Sequence, residues 1–410
     1  MEYGLALEGG GSKGSYHIGA CKALKEMGAE FSCVAGTSVG ALNGALIVQD
    51  DIDKAYKLWH DISLSKVIDF SDGEYKSVEQ SKKDGESVYG TMKKLRLAIK
   101  DRGLNIDPLV KMVDDNLDED KIRKSKTDFG LVTIDLSNRK VLELYKEDIP
   151  QGKMAGYLLA SASLPGFKLR NLDGKVFIDG GLYNSLPIDM VIKKGCKDIV
   201  VIRTFGHGRI KKTDTTGVNI IEISPNENLG PILDFSSKVA RKNLKMGYFD
   251  AIKAMKKMKG TRYYIESVND ETLFLNYFLR MSDEKIKKLA KLVGVEEASG
   301  KRALLELIIP KIADLAGIPK ESSYEDICIS VIEMMAEASN VERFKIYKLS
   351  EVIDEIVKGF RNTETVNKNE IPRFMLKADF FSRFIKNKIL GSLAYELSED
   401  LSSLNLQKSI

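Results

Sequence analysis

The amino-acid sequence predicts an α/β fold, a central sheet between helices, continued by an all-helical extension. Three observations carry this. A buried strand, a tight glycine loop and a helix follow one another twice, at Tyr3–Leu24 and at Phe31–Gln49. Short apolar runs then alternate with helical periodicities up to about residue 260. Beyond Gly260 glycine becomes sparse, and lysine, glutamate, leucine and isoleucine recur at helical spacing. The expected division is residues 1–260 and 261–410.

Tyr3–Leu7 is an apolar run ending in glycines and reads as a buried strand. From Ser15, the residues Ile18, Cys21, Ala23 and Leu24 mark a packed helix. Phe31–Gly36 is a second buried strand, and the small residues from Ser38 to Gln49 make a closely packed helix. Ala55–Asp61 continues helical. Ser71–Gly90 is polar, with glycines at 73, 85 and 90, and reads as a loop and candidate lid. Ile106–Leu117 is helical, and Asp128–Leu136 pairs with Lys140–Tyr145 across a short turn. A helix ending near Leu159–Pro165 follows, then a strand at Lys175–Asp179 and a helix from Pro187. Asp198–Arg203 and Val218–Ile223 are further strands, and Ile232–Lys259 reads as one long helix.

Composition excludes several classes. Net charge is +4 in 410 residues, far from the basic excess of a nucleic-acid binder. The four cysteines, Cys21, Cys33, Cys196 and Cys328, form no C-x-x-C pair, which argues against zinc and suits a reducing compartment. No uncharged apolar run reaches the roughly 18–20 residues needed to span a bilayer, and no secretory leader is seen. The expectation is a soluble cytoplasmic protein whose membrane contact, if any, is peripheral.

The loop Gly9-Gly10-Gly11-Ser12-Lys13-Gly14 admits three readings besides a plain turn. Gly9, Gly11 and Gly14 match the dinucleotide spacing G-x-G-x-x-G, with Glu30 near where a ribose-binding acid belongs. A phosphate loop fails, because Ser15 stands where lysine is required. The third reading is an oxyanion hole: successive glycines let N–H groups converge, and the helix N-terminus adds positive potential.

Gly36-Thr37-Ser38-Val39-Gly40 changes the ranking. It is G-x-S-x-G between a strand and a small-residue helix, the context in which that motif raises its serine as a nucleophile. A serine needs a base. The three histidines, His17, His60 and His207, lack a convincing triad context, and His17 reads as a helix residue bonded near the loop. Asp179, at a strand end before Gly180-Gly181, is the alternative. A free carboxylate with a pKa of about 4 is a weak base, so it must be close, desolvated and coupled to attack.

Three blocks in order, Glu8–Leu24, Gly36–Ala45 and Asp179–Pro187, together resemble the patatin-like phospholipase family. Ser161–Phe167 and Gly247–Met255 are lesser matches, and the resemblance covers about residues 1–258. It implies a three-layer α/β/α sandwich with a mainly parallel sheet. It also implies a Ser38–Asp179 dyad without histidine, an oxyanion hole shaped by Gly9, Gly10 and Gly11, and an acyl-enzyme formed without a metal or other cofactor. Lys13, Gly14, Gly36, Gly40 and Gly180 are the supporting residues. The substrates implied are acyl esters of glycerolipids. Lys13 departs from the arginine of many members, and its role divides between orienting the loop, attracting a head group and simple solvation.

Residues 371–390 carry apolar positions at helical spacing beside five cations. They read either as a basic amphipathic helix on an anionic membrane or as a helix packed on the catalytic domain or on a second subunit of a homo-oligomer. Two rival functions stay open at this point. A nucleotide-binding oxidoreductase leaves Ser38 and Asp179 unexplained. A non-catalytic lipid-binding scaffold predicts that Ser38 is inert.

Overall fold

The computed structural model describes residues 2–69, 103–168, 171–295, 298–319 and 322–362; the candidate lid at 71–90 and the stretch 371–390 lie outside them. The chain divides into two compact units, Met1–Met255 and Lys256–Ile410.

The first unit is built on one sheet. Its strands are β1 (Glu2–Leu7), β2 (Glu30–Thr37), β3 (Asp128–Asp135), β4 (Lys140–Tyr145), β5 (Asn171–Leu172), β6 (Lys175–Asp179), β7 (Asp198–Ile202) and β8 (Asn219–Ile223). They run in the order β5-β6-β3-β2-β1-β7-β8, with β4 on the remaining edge of β3. β3, β2, β1, β7 and β8 are parallel to one another, whereas β4 and β6 pair antiparallel with β3. The parallel core strands are apolar on both faces, as burial on both sides requires.

Helices cover each face. On one, Ala6, Cys33, Ala35, Val132, Ile199 and Val201 pack against Met190 and Val191 of a helix at Ile188–Lys193. On the other lies α2 (Val39–Val48), where a Cβ on Gly44 would stand 3.2 Å from Phe129 and Val34 and 3.7 Å from Leu7. Helix α1 (Ser15–Glu26) packs beside α3 (Ile52–His60).

The expected helix Ile232–Lys259 is shorter, Ser237–Lys256. Residues 231–236 are committed elsewhere. The Pro231 and Ile232 carbonyls accept from Ser12, and Asp234 accepts the Ser236 N–H in a local turn that competes with helix. The helix then crosses α1 at glycines on both sides. A Cβ on Gly19 would meet the Leu244 carbonyl at 2.0 Å, and one on Gly247 the Tyr16 carbonyl at 2.1 Å. Gly19→Ala is therefore expected to destabilise the protein by about 3 kcal/mol through forced separation of the helices, read as a lower urea midpoint.

The second unit is helical with one exception. Its core includes Phe274, Ile286, Leu304, Ile308, Ile332 and Val352. Asp270, Ser282 and Ser323 cap their helices by accepting the N–H of Leu273, Lys285 and Asp326. The expectation of an all-helical extension is corrected by two short parallel strands, β9 (Tyr264–Ile265) and β10 (Ile346–Tyr347). The buried Glu333 carboxylate accepts the N–H groups of Thr261, Arg262 and Tyr263, which fixes the approach to β9.

Candidate active site

Ser38 ends β2 and begins α2 at φ 59°, ψ −127°, a conformation in which a non-glycine residue is strained. The turn is possible because the flanking glycines leave no side chains in the way. A Cβ on Gly36 would stand 2.2 Å from the Gly40 carbonyl, and one on Gly40 would stand 2.4 Å from that of Leu7. The Ser38 N–H donates to Ser161 Oγ at 2.9 Å, and that hydroxyl donates onward to the Val132 carbonyl at 2.7 Å. Ser161 thus ties the turn to β3. The sequence singled out the Ser161–Phe167 segment but not this residue.

Asp179 reaches Ser38 through the sheet register. β2 and β6 lie end to end along the same edge of β3: Thr37 is opposite Val132, and Asp179 is opposite Thr133, the next rung. β2 arrives parallel and β6 antiparallel, so their C-terminal ends face each other at this joint. A Cβ on Gly180 would fall 2.2 Å from the Val132 carbonyl, so glycine is needed where the chain turns away.

The Asp179 carboxyl is buried, and its Oδ1 accepts the Gly181 N–H at 2.7 Å. Burial pushes its pKa up to about 6, against the lowering effect of the Ser38 side chain and the Gly181 N–H. Oδ2 is buried without a hydrogen bond of full geometry, even though Ser38 is near enough to lower the pKa.

The glycine loop packs directly on this joint. A Cβ on Gly9 would stand 3.0 Å from Ser185 Oγ and 3.4 Å from Ser38 Cβ. The Gly9 N–H donates to the Ser185 carbonyl at 2.9 Å, and that of Ser12 to Ile232 at 2.8 Å. Among the described residues, the N–H groups of Gly10 and Gly11 have no acceptor. Gly9 thus shapes the loop through its bond to Ser185, while Gly10 and Gly11 present the unpaired donors. Gly11 is at φ 58°, where its N–H is turned by a conformation that favours glycine. A Cβ on Gly14 would meet Val39 Cγ2 at 2.3 Å, so Gly14 brings the loop onto the start of α2.

Lys13 is buried, and its Nζ donates to the Thr204 and Phe205 carbonyls at 3.3 and 2.9 Å. Burial pulls its pKa below the ordinary lysine value, partly countered by Glu8. Glu8 in turn accepts from Arg203 and from the N–H groups of Thr204 and Phe205, and Thr204 Oγ1 donates to the Gly9 carbonyl at 2.6 Å. Lys13 is therefore not a solvated side chain: it ties the glycine loop to the segment that follows β7. Glu8 and Thr204 went unnoticed in the sequence. An acid immediately before the glycine run was the visible signal for Glu8, whereas nothing local marks Thr204.

No histidine completes a triad among the described residues. His17 is fully buried, contacts Asn43 through Nδ1 at 3.3 Å and leaves Nε2 without a partner; burial drives its pKa down to about 3. His60 pairs with Asp61 at the surface, and His207 is exposed. The dinucleotide reading also fails. Glu30 pairs with Glu2 at the start of β1, the end of the sheet remote from Gly9.

From Gly11 and Ser38 opens an apolar cavity of about 100 Å³. It follows Val39, Leu42 and Leu46 along one face of α2. The opposite wall is Leu109, Met112 and Val113 of the helix Asp107–Asn116, with Leu158 and Phe235 beside them. Asn116 lies at its border with an acidic surface groove that includes Asp118, and the Gln49 side chain joins the two by bonding the Asn116 carbonyl and the Asp118 N–H.

Residues 5–192 match the family model for patatin-like phospholipase. The chain is 24% identical over 208 residues to lysophospholipase NTE1 of Kluyveromyces lactis, covering 48% of this chain and 12% of that protein. It is 26% identical over 208 residues to human patatin-like phospholipase domain-containing protein 6, covering 48% of this chain and 13% of that protein. The match therefore spans only a small part of these relatives' length. Among solved structures it is similar to VipD from Legionella pneumophila, with a TM-score of 0.41, 15% identity and coverage of 97% of this chain and 88% of that one. The serine turn, the glycine loop and Asp179 all lie within the matched segment, and it is over residues 5–192 that this chain is similar to the patatin-like phospholipase family.

Proposed function

We propose that the protein is a serine acyl hydrolase that cleaves acyl esters of lipids through Ser38 and Asp179. One observation carries the reading: a strained serine abuts a buried carboxylate at the mouth of an apolar cavity. Ser38 Oγ attacks the ester carbonyl while Asp179 Oδ2 takes its proton. The oxyanion meets the N–H groups of Gly10 and Gly11, aided by the N-terminus of α2. Asp179 then protonates the departing alcohol and next takes a proton from the water that attacks the acyl-enzyme, releasing a fatty acid. The apolar cavity holds the acyl chain.

The test is mass spectrometry after treatment with a fluorophosphonate, together with fatty-acid release from phospholipid and lysophospholipid. The expected result is one adduct, on the peptide containing Ser38, and measurable release. Folded protein that takes no adduct and releases no fatty acid would instead favour a lipid-binding role.

The cavity also sets an expected chain length. Leu46 is eight residues along α2 from Ser38, about 12 Å at the helical rise, and an extended alkyl chain advances about 1.25 Å per bond. About ten carbons therefore lie between Ser38 and Leu46. Leu46→Trp is expected to lower kcat/KM roughly tenfold for longer acyl esters while leaving butyryl esters unchanged, because the blocked volume lies beyond the short chain.

A further inference from the structure

Two segments carry apolar side chains into solvent beside the reaction centre. Among the described residues of the first unit, the exposed large apolar side chains are Leu136, Leu182, Tyr183, Phe205 and Ile210. All but Leu136 belong to the turn after Asp179 or to the segment that follows β7. These segments form one surface: the Arg209 N–H donates to the Gly181 carbonyl at 2.8 Å, and the Ser185 N–H to the Arg209 carbonyl at 2.6 Å. A Cβ on Gly208 would stand 2.5 Å from Ser185 Cβ, so the two backbones are in contact.

Leu182 is 48% exposed, Phe205 51% and Ile210 48%, on backbone that hydrogen bonds hold in place. Exposed apolar side chains clustered on fixed loops mark an interaction site. Charge indicates what covers them. Residues 203–212 contain four cations and no acid. Arg203 and Lys211 are occupied by acidic partners and stack over Phe205 and Tyr183, at 4.9 and 5.6 Å from the ring centroids. Arg209 and Lys212 are exposed and make no ion pair among the described residues. Apolar side chains interleaved with free cations are complementary to a bilayer surface with anionic head groups and acyl chains beneath.

We propose that the Gly180–Tyr183 turn and the Phe205–Lys212 segment dock onto the anionic surface of a phospholipid bilayer, with Leu182, Phe205 and Ile210 inserted and Arg209 and Lys212 on the head groups. The inference builds on the lipid-hydrolase reading, because docking here sets the Ser38–Asp179 joint against the membrane. Its test does not depend on turnover.

Full-length protein carrying Ser38→Ala is sedimented with vesicles of phosphatidylcholine alone and of phosphatidylcholine with a minor fraction of phosphatidylserine. The parent is expected to bind the anionic vesicles more tightly. Leu182→Ser/Ile210→Ser and Arg209→Glu/Lys212→Glu are each expected to weaken that binding about tenfold. With Ser38 restored, both doubles are expected to keep wild-type hydrolysis of a soluble monomeric ester, which shows them folded. Unchanged vesicle binding in both doubles overturns the proposal and moves any membrane contact elsewhere, such as residues 371–390. A parent that binds neither vesicle overturns it as well and favours a protein partner on this surface. Binding that behaves as expected in a protein that takes no fluorophosphonate adduct supports the surface and sinks the hydrolase reading alone.

Discussion

Ser38→Ala is expected to remove fluorophosphonate labelling and to lower ester hydrolysis by at least about 10⁴-fold, since in the proposed mechanism Ser38 carries the acyl intermediate. The same position offers a second measurement. At φ 59°, ψ −127° a Cβ is strained whether it bears a hydroxyl or not, so Ser38→Ala retains the strain and Ser38→Gly relieves it. Ser38→Gly is expected to be more stable than Ser38→Ala by about 1–3 kcal/mol in urea unfolding, with both inactive. Equal stabilities would mean the turn is relaxed and that its geometry does not hold the nucleophile out. Labelling that survives in the Ser38→Ala variant would put the nucleophile elsewhere.

Asp179→Asn is expected to lower kcat about 10³-fold by removing the base, and to raise stability at the same time. The sign follows from burial. The carboxyl titrates near 6 in the folded chain against an ordinary value of 3.8, so between these limits the folded state binds the extra proton. Stability from this group is present below about pH 4 and is lost as pH rises through 6. Above that, the buried charge costs about 3 kcal/mol. Asparagine avoids the charge but buries an unpaired amide N–H, which costs about 1 kcal/mol, leaving a net gain of about 2 kcal/mol at pH 8. Thermal melts at pH 8 and pH 4.5 test this, with the gain expected at the first and shrinking at the second. In the wild type, kcat/KM is expected to fall as pH drops through about 6, where Asp179 becomes protonated. A variant destabilised at both pH values would mean that the carboxylate serves the fold rather than the chemistry.

Much of this site was legible in the sequence because its signals are local. Gly36 and Gly40 flank a serine between a strand and a helix, and only small residues permit that turn. Gly180 after Asp179 marked a strand end where another segment comes close, and the structure supplies that segment as the Val132 carbonyl. The glycine loop was visible, but its division of labour was not. Whether a given N–H is free depends on which carbonyl stands opposite it, and Ser185 opposite Gly9 is 176 residues away, counting from 9 to 185. The same holds for Lys13, whose partners Thr204 and Phe205 lie in a segment with no motif of its own. Ile232–Ser236 misled for a related reason: the helical pattern was present, but Ser12 claims the carbonyls of that stretch.

The sequence by itself determined the alternation of strands and helices, the strained serine turn and the acid at the end of β6, since each follows from spacing and side-chain size within a few residues. Only the tertiary structure decided that Ser38 and Asp179 meet. They do so because β2 and β6 end on neighbouring rungs of β3, at Val132 and Thr133, and a register is a relation between distant segments. Tertiary packing likewise raised the Asp179 pKa, left Gly10 and Gly11 as the free donors and opened the apolar cavity beside them, because burial and hydrogen-bond supply depend on the surroundings of a residue.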